Sequence, residues 1–216
     1  MNIRLVALGL GDDLQPGLAL AQTLRRNGHS AELISTGRAQ ALADQFGVPH
    51  RSLDLDVHSL LSGKGGRRGL FGLGRPNPVM PEESVARVAD ALWEHVQGCD
   101  LIVAHLATTP LVAAMTEKLN LPLVTYALDP LSHTQSFAQP LFPDLPEWLP
   151  LRDLYNRGTY TVANRLLWSL FAEGVNTFRA EILELPPINP RHHQQQMDQT
   201  PLLYAVSEAI VPRPPD

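Results

Sequence analysis

Two adjacent carboxylates, Asp12 and Asp13, stand in the segment Leu8-Gly9-Leu10-Gly11-Asp12-Asp13-Leu14-Gln15-Pro16, between an apolar run and an amphipathic one. Carboxylates in such a turn have three chemical uses. One of them can cap the following helix, since aspartate is a favoured N-cap and Pro16 is tolerated in a first helical turn. The turn can also belong to a dinucleotide fold. Gly9-Leu10-Gly11 supplies two glycines of G-x-G-x-x-G, but Leu14 takes the third place and the aspartates stand where a pyrophosphate must approach. In that reading Arg38, just past the second strand, could meet the 2′-phosphate of NADP in an oxidoreductase. The third use is general-base chemistry on a hydroxyl, with the nearby helix N-terminus favouring the charged carboxylate.

The elements that must hold this turn alternate between the periods of strand and helix. Residues 3–8 read as a first strand and residues 15–27 as a helix, with Leu18, Leu20, Ala21 and Leu24 on one side and Gly28 closing it. Residues 31–35, 48–53, 101–105 and 121–127 read as further strands. The segments between them, 39–46, 81–96 and 109–119, read as helices. Glu82 and Glu83 lie in the first turn of the second of these, where the dipole favours anions. Strands separated by helices of this kind predict an α/β fold: a Rossmann-like parallel sheet of six or seven strands, right-handed crossovers, helices on both faces. Ligands of such sheets sit at the carboxyl ends of the strands, where the first turn lies. Residues 129–150 hold five prolines and read as a long loop, residues 152–185 as one long helix, and residues 191–196 as polar and solvated. Residues 202–207 form a sixth strand, and Val211 to Asp216 a proline-stiffened tail.

Composition narrows the class. Of 216 residues, 44% are hydrophobic and 18% charged, as in an ordinary globular domain. No apolar run approaches the length of a membrane span, and the N-terminus has no signal-peptide pattern. The single Cys99 excludes an internal disulfide and fits a reducing cytoplasm, with Cys99 as a small buried apolar residue. A net charge of -5 disfavours nucleic acid as a partner. The eight histidines show no zinc spacing, and no metal is expected.

Several segments together resemble one family. Asp13-Leu14-Gln15-Pro16 is similar to the Asp-Val-Gln-Pro turn that opens the acceptor half of GT-B glycosyltransferases, in their sterol- and antibiotic-glucosyltransferase branch. Arg26-Asn27-Gly28-His29-Ser30-Ala31 resembles the Arg-x-Gly-His-x-Val that follows the first helix, and residues 130–137 resemble the Pro-x-x-Pro-Thr-x-Ala-Phe loop after strand five. Asn164 to Trp168 with Arg179 to Pro187 resembles the helix ending in Arg-x-x-Leu-Gly-Leu-Pro-Pro. Leu203 to Asp216 resembles the closing Leu-Tyr-x-x-Ser-x-x-Leu-x-Pro-x-Pro-x-Asp. The chain departs from the family in having Leu10-Gly11-Asp12 where Ser-Arg-Gly is usual, so two carboxylates stand where the family has one. The plant branch uses a histidine in this turn; His29, which begins strand two, cannot replace it.

The resemblance implies an N-terminal acceptor-binding domain over residues 1–207 and the start of an interdomain linker over 208–216. It implies an inverting transfer of a hexose from a nucleotide-diphosphate sugar, UDP- or TDP-linked, to a hydroxyl of a lipid, sterol or other small apolar acceptor. Asp13 would be the base, with Asp12 as cap or alternative base. Gly11, Gln15, His105, Asp129, His133, Thr134 and Phe137 would shape the acceptor pocket. The donor-binding half, or a partner chain that supplies it, is expected to lie outside these residues, so the chain by itself is expected to be inactive and to hold no cofactor. A non-catalytic binding module or a subunit of a split enzyme remains the alternative, with the NADP-dependent oxidoreductase behind it.

One segment stands apart. Between Asp56 and Glu82 there is no acidic residue, and the glycine-rich stretch contains Lys64, Arg67, Arg68 and Arg75 with Leu70, Phe71 and Leu73. It reads as a disordered surface loop, as an acceptor lid, or as a segment that captures acceptor in weak peripheral contact with an anionic membrane. Trp93 and Trp168 read as core or loop anchors, and Trp148 as an aromatic of the acceptor-side loop.

Overall fold

A computed structural model describes residues 1–8, 13–55 and 82–216 of the chain. Six strands, β1 (Asn2–Val6), β2 (Ser30–Thr36), β3 (His50–Leu53), β4 (Leu101–His105), β5 (Leu123–Ala127) and β6 (Leu202–Tyr204), form one sheet in the order β3-β2-β1-β4-β5-β6. Every neighbouring pair is parallel. The order reverses between β1 and β4, which pair with Val6 opposite Ala104. That reversal opens a crevice at the carboxyl ends of these two strands, where doubly wound sheets place ligands.

Alternation along the strands builds two cores. Ile3, Leu5 and Ala7 face α1 (Leu14–Arg26) and α2 (Gln40–Phe46), joining Leu18, Ala21, Ala43 and Tyr126. Val6 and Leu8 face the other way, with α3 (Glu82–Val96), α4 (Thr109–Leu119) and α5 (Arg152–Glu181), joining Val88, Leu92, Val112, Met115, Trp168 and Phe178. This is the fold class expected, an α/β parallel sheet with helices on both faces. Cys99 is a buried member of the second core. At Gly174 a Cβ would come within 2.5 Å of the Cβ of Val85, so the glycine is what lets α5 lie this close to α3.

Several boundaries and one segment differ from the sequence expectation. Strand β1 ends at Val6, β3 begins at His50, β5 begins at Leu123, β6 ends at Tyr204, and α5 ends at Glu181. The stretch around residues 191–196, expected to be polar and solvated, forms the helix α6 (Pro190–Gln199), of which only His193 is buried. Asn189 caps it by accepting from the His192 N–H at 2.9 Å, and Pro190 opens its first turn. Its composition is so polar that no apolar periodicity announces it.

A buried arginine ties α4, α5 and α6 together. Arg179, fully buried on α5, donates from Nη1 and Nη2 to the two carboxylate oxygens of Glu117 on α4, at 2.7 and 3.1 Å. Its Nε donates to the Pro186 carbonyl at 2.9 Å. Gln196 of α6 donates to the same carboxylate at 2.9 Å. Together these bonds fix the angle at which α6 leans on α5. Among the described residues no helix is long and apolar enough to cross a membrane.

Candidate functional site

The site is assembled from the ends of three strands. After β1 the chain re-enters the described structure at Asp13, which precedes α1; the residue is 4% exposed. Its side chain makes no capping bond to the helix. Its main-chain carbonyl accepts a hydrogen bond from the Tyr126 hydroxyl of β5 at 2.8 Å. Burial, and then the Asp13 charge, push the Tyr126 phenol well above its ordinary pKa, so it remains a donor.

His105 ends β4 beside this carboxylate, with its Nδ1 4.0 Å from Asp13 Oδ2 and its ring tilted at 58° against Tyr126. Burial lowers the His105 pKa despite the opposing pull of Asp13 and Asp129, so the neutral ring is favoured. Nδ1 also accepts a long hydrogen bond from the Ala107 N–H at 3.4 Å, which puts the ring proton on Nε2. The 4.0 Å contact is therefore not an ion pair. The turn after β4 is fixed by Thr108 and Thr109, whose hydroxyls donate to the His105 carbonyl at 2.8 and 3.2 Å.

Asp13 and His105 lie on the wall of a cavity of about 720 Å³. Asp129 and His133, from the loop after β5, line it as well. The remaining surface is dominated by apolar side chains: Leu106 and Pro110 before and within α4, Leu128 and Leu131 of the loop, and Leu167, Trp168, Leu170 and Phe171 of α5. Such a cavity suits a mostly apolar ligand oriented by a few polar groups.

The other expected acceptor residues are placed elsewhere. Gln15 is exposed on the first turn of α1 and is not among the lining residues. Thr134 is buried and donates to the Asp216 carboxylate at 2.7 Å, while Phe137 is half-buried; neither lines the cavity. Trp148 is 80% exposed and also apart from it. Gly11 and Asp12, and the basic stretch with Lys64, Arg67, Arg68, Leu70, Phe71 and Arg75, lie outside the described residues. Arg38 is exposed, in the short turn Gly37–Ala39 after β2. Among the described residues no three His, Cys, Asp or Glu side chains gather as a metal site.

The loop after β5 is held from the C-terminal segment. The Tyr204 hydroxyl accepts from the N–H groups of Leu131 and Ser132, at 3.1 and 2.7 Å, and donates to Ser132 Oγ at 2.7 Å. Asp216 accepts from Thr134 and from the Gln135 N–H at 2.9 Å. His133, presented by this loop, lies against Tyr160 of α5 with ring centroids 5.7 Å apart.

Residues that the sequence did not single out for the site are Tyr126 and the α6 side chains, chiefly His193, which stacks on Trp168. One signal for Tyr126 was present. An isolated glycine in a helical pattern marks a close approach, and a Cβ at Gly17 would sit 2.7 Å from the Tyr126 hydroxyl oxygen. Gly17→Ala should therefore break the bond to Asp13. The helix-propensity gain of about 1 kcal/mol should be outweighed, with a net loss of roughly 1–2 kcal/mol. In urea denaturation, the double variant Gly17→Ala/Tyr126→Phe, which removes the clashing oxygen, should be more stable than Gly17→Ala alone. Equal stability would place the strain elsewhere.

No protein-family profile matches the chain. Relatives do match it along nearly its whole length. The UDP-sugar-dependent glycosyltransferase 52 of Dictyostelium discoideum is 24% identical over 100% of this chain and 13% of its own length. A sterol 3-beta-glucosyltransferase of Candida albicans is 25% identical over 98% of this chain and 14% of its own. The O-mycaminosyltylonolide 6-deoxyallosyltransferase of Streptomyces fradiae is 29% identical over 100% of this chain and 52% of its own. The chain thus spans between about an eighth and about half of these relatives. Among solved structures, the glycosyltransferase SnogD of Streptomyces nogalater superposes with a TM-score of 0.49 at 17% identity, over 100% of this chain and 49% of its own. The proteins it matches are thus a UDP-sugar-dependent glycosyltransferase, a sterol 3-beta-glucosyltransferase and a 6-deoxyallosyltransferase, and the chain aligns with a part of each.

Proposed function

We propose that these residues form the acceptor-binding part of an inverting glycosyltransferase that moves a hexose from a nucleotide-diphosphate sugar to a hydroxyl of a small apolar acceptor. The observation that carries this reading is a nearly buried carboxylate, Asp13, on the wall of a largely apolar cavity at the switch point of a parallel sheet. The acceptor's apolar body would lie against the α5 wall, with its hydroxyl beside Asp13. The carboxylate takes the hydroxyl proton as the oxygen bonds to the anomeric carbon, and the nucleoside diphosphate departs from the opposite face with the glycosidic electron pair. Inversion follows from that geometry. His105 stands beside the base as a neutral ring, and Tyr126 fixes the backbone that carries it.

The UDP- or TDP-linked donor would be held by residues beyond this chain, as would the groups that stabilise the leaving phosphate. Titration of the 216-residue chain with a radiolabelled sterol tests the acceptor reading. Saturable binding is expected without any nucleotide sugar present. An absence of saturable binding would overturn the apolar-acceptor assignment.

A further inference from the structure

We propose that Tyr204 and Asp216 are positioning residues for the acceptor: together they clasp the half of the loop after β5 that walls the cavity, and the clasp sets how tightly an acceptor is held. This rests on the acceptor reading above and goes beyond it by tying acceptor affinity to two residues that do not line the cavity. Both stand in the closing stretch Leu203 to Asp216, which the chemistry at Asp13 does not use.

Parallel pairing puts the first point of the clasp in place. Tyr204 ends β6 opposite Ala127, the last residue of β5, so it stands where the loop leaves the sheet. Its hydroxyl accepts from the N–H groups of Leu131 and Ser132 and donates to Ser132 Oγ, which uses the phenol as donor and acceptor at once. Among the described residues, Leu131 and Ser132 have no other hydrogen-bond partner. The second point is reached through a turn. The N–H groups of Ile210 and Val211 donate to the Ser207 carbonyl at 2.9 and 3.0 Å, and that of Ala209 to Ser207 Oγ at 3.2 Å. Beyond this turn Asp216 takes hydrogen bonds from Thr134 and from the Gln135 N–H. These bonds, that of Thr134 foremost, hold its carboxyl below the ordinary value, so near neutral pH it remains an acceptor. The two points flank His133, which lines the cavity together with Leu131 and Ser132.

The two halves of the loop are held differently. The half that continues toward α5 is bonded to that helix. Asn156 donates to the Gln135 carbonyl at 2.7 Å, Arg152 to the Ser136 carbonyl at 3.2 Å, and the Gln139 N–H to Thr159 Oγ at 2.9 Å. For the half that walls the cavity, α5 supplies one polar contact, 3.3 Å between His133 Nε2 and Thr161 Oγ, and the packing of His133 on Tyr160. The helix side chains that meet the loop are also incompletely matched. The Tyr160 hydroxyl and Asn156 Oδ1 are buried without a hydrogen-bond partner among the described residues, which is unfavourable. The wall therefore depends on the clasp more than on the helix. Tyr204 is 41% exposed and Asp216 lies at the surface, so neither belongs to a core. Their replacement should move the wall without unfolding the domain.

Equilibrium binding of radiolabelled cholesterol to the 216-residue chain, set beside urea denaturation, tests the assignment. Tyr204→Phe keeps the ring and removes all three bonds. It should weaken cholesterol binding by about tenfold or more, while the urea midpoint stays that of the wild type. Asp216→Ala should act in the same way, and Asp216→Asn, whose Oδ1 can still accept from Thr134, should lose less. Amide hydrogen exchange reads the clasp directly. The Leu131 and Ser132 N–H groups should exchange faster in Tyr204→Phe, and that of Gln139 at the wild-type rate. Cholesterol affinity within about twofold of wild type in both Tyr204→Phe and Asp216→Ala would overturn the positioning assignment and leave the acceptor reading standing. Unchanged exchange at Leu131 and Ser132 would do the same. A urea midpoint that falls in both variants would make the two residues structural and overturn it as well. If the wild type binds no cholesterol, the acceptor reading fails and this inference fails with it.

Discussion

On the proposed function, Asp13→Asn is expected to lower glycosyl transfer by about 10²–10⁴-fold, the range of a lost general base. The geometry leaves the turn in place after this substitution. The hydrogen bond that fixes the turn runs from Tyr126 to the Asp13 main-chain carbonyl, so it survives the change of side chain. The side chain makes no helix-capping bond that the change would cost. Asparagine has the same shape and cannot accept a proton at neutral pH. Acceptor affinity should therefore stay within a few fold, and the loss should fall on kcat. Single-turnover rates with saturating nucleotide sugar, set beside acceptor binding to the same variant, separate the two. A variant that keeps turnover within tenfold of wild type would remove Asp13 from the chemistry and turn attention to Asp129 on the same cavity.

How far the sequence reaches toward this site differs from residue to residue. The strand and helix alternation is legible because a parallel sheet buried on both faces leaves continuous apolar strands between amphipathic helices. The location of the first turn follows from that order. Asp13, His105, Asp129 and His133, named from the sequence, meet on one cavity because β1, β4 and β5 end side by side. Thr134 was not separable from His133 by sequence, since which of two adjacent loop residues faces inward depends on the bond Thr134 makes to Asp216, 82 residues away. Helix α6 is hidden for a different reason. Its contact with the core is a single stacked ring, His193 on Trp168, and one aromatic contact leaves no periodic trace. Only the Asn-Pro start carried a signal. The Tyr126 hydroxyl bond likewise depends on strand register, with His105 opposite Tyr126, which local pattern does not encode.

Arg179→Ala should be the most destabilising single change in the described structure. It removes both bonds to Glu117 and the donor to the Pro186 carbonyl, and leaves a void in a fully buried position. Breaking a buried pair by deleting one partner costs about 3–5 kcal/mol. Glu117 keeps a third of its side-chain surface in contact with solvent, so water offsets part of the loss and the lower end, about 3 kcal/mol, is expected. The paired variant Arg179→Met/Glu117→Leu strands no charge and should lose less than Arg179→Ala.

The pair also has a pH signature. The Arg179 hydrogen bonds hold the Glu117 carboxyl below its ordinary 4.5. A group with a depressed folded pKa contributes stability that is fully present above the unfolded value and is lost as pH falls through the folded one. The stability difference between wild type and the paired variant should therefore shrink as pH drops below about 4.5, measured by urea denaturation across an acid series. Because Gln196 bonds to the same carboxylate, losing Arg179 should also loosen α6, which carries His193 on the cavity wall. If Arg179→Ala instead unfolds within 1 kcal/mol of wild type, the three-helix tie is not what holds that wall, and the stack of His193 on Trp168 must do so by packing alone.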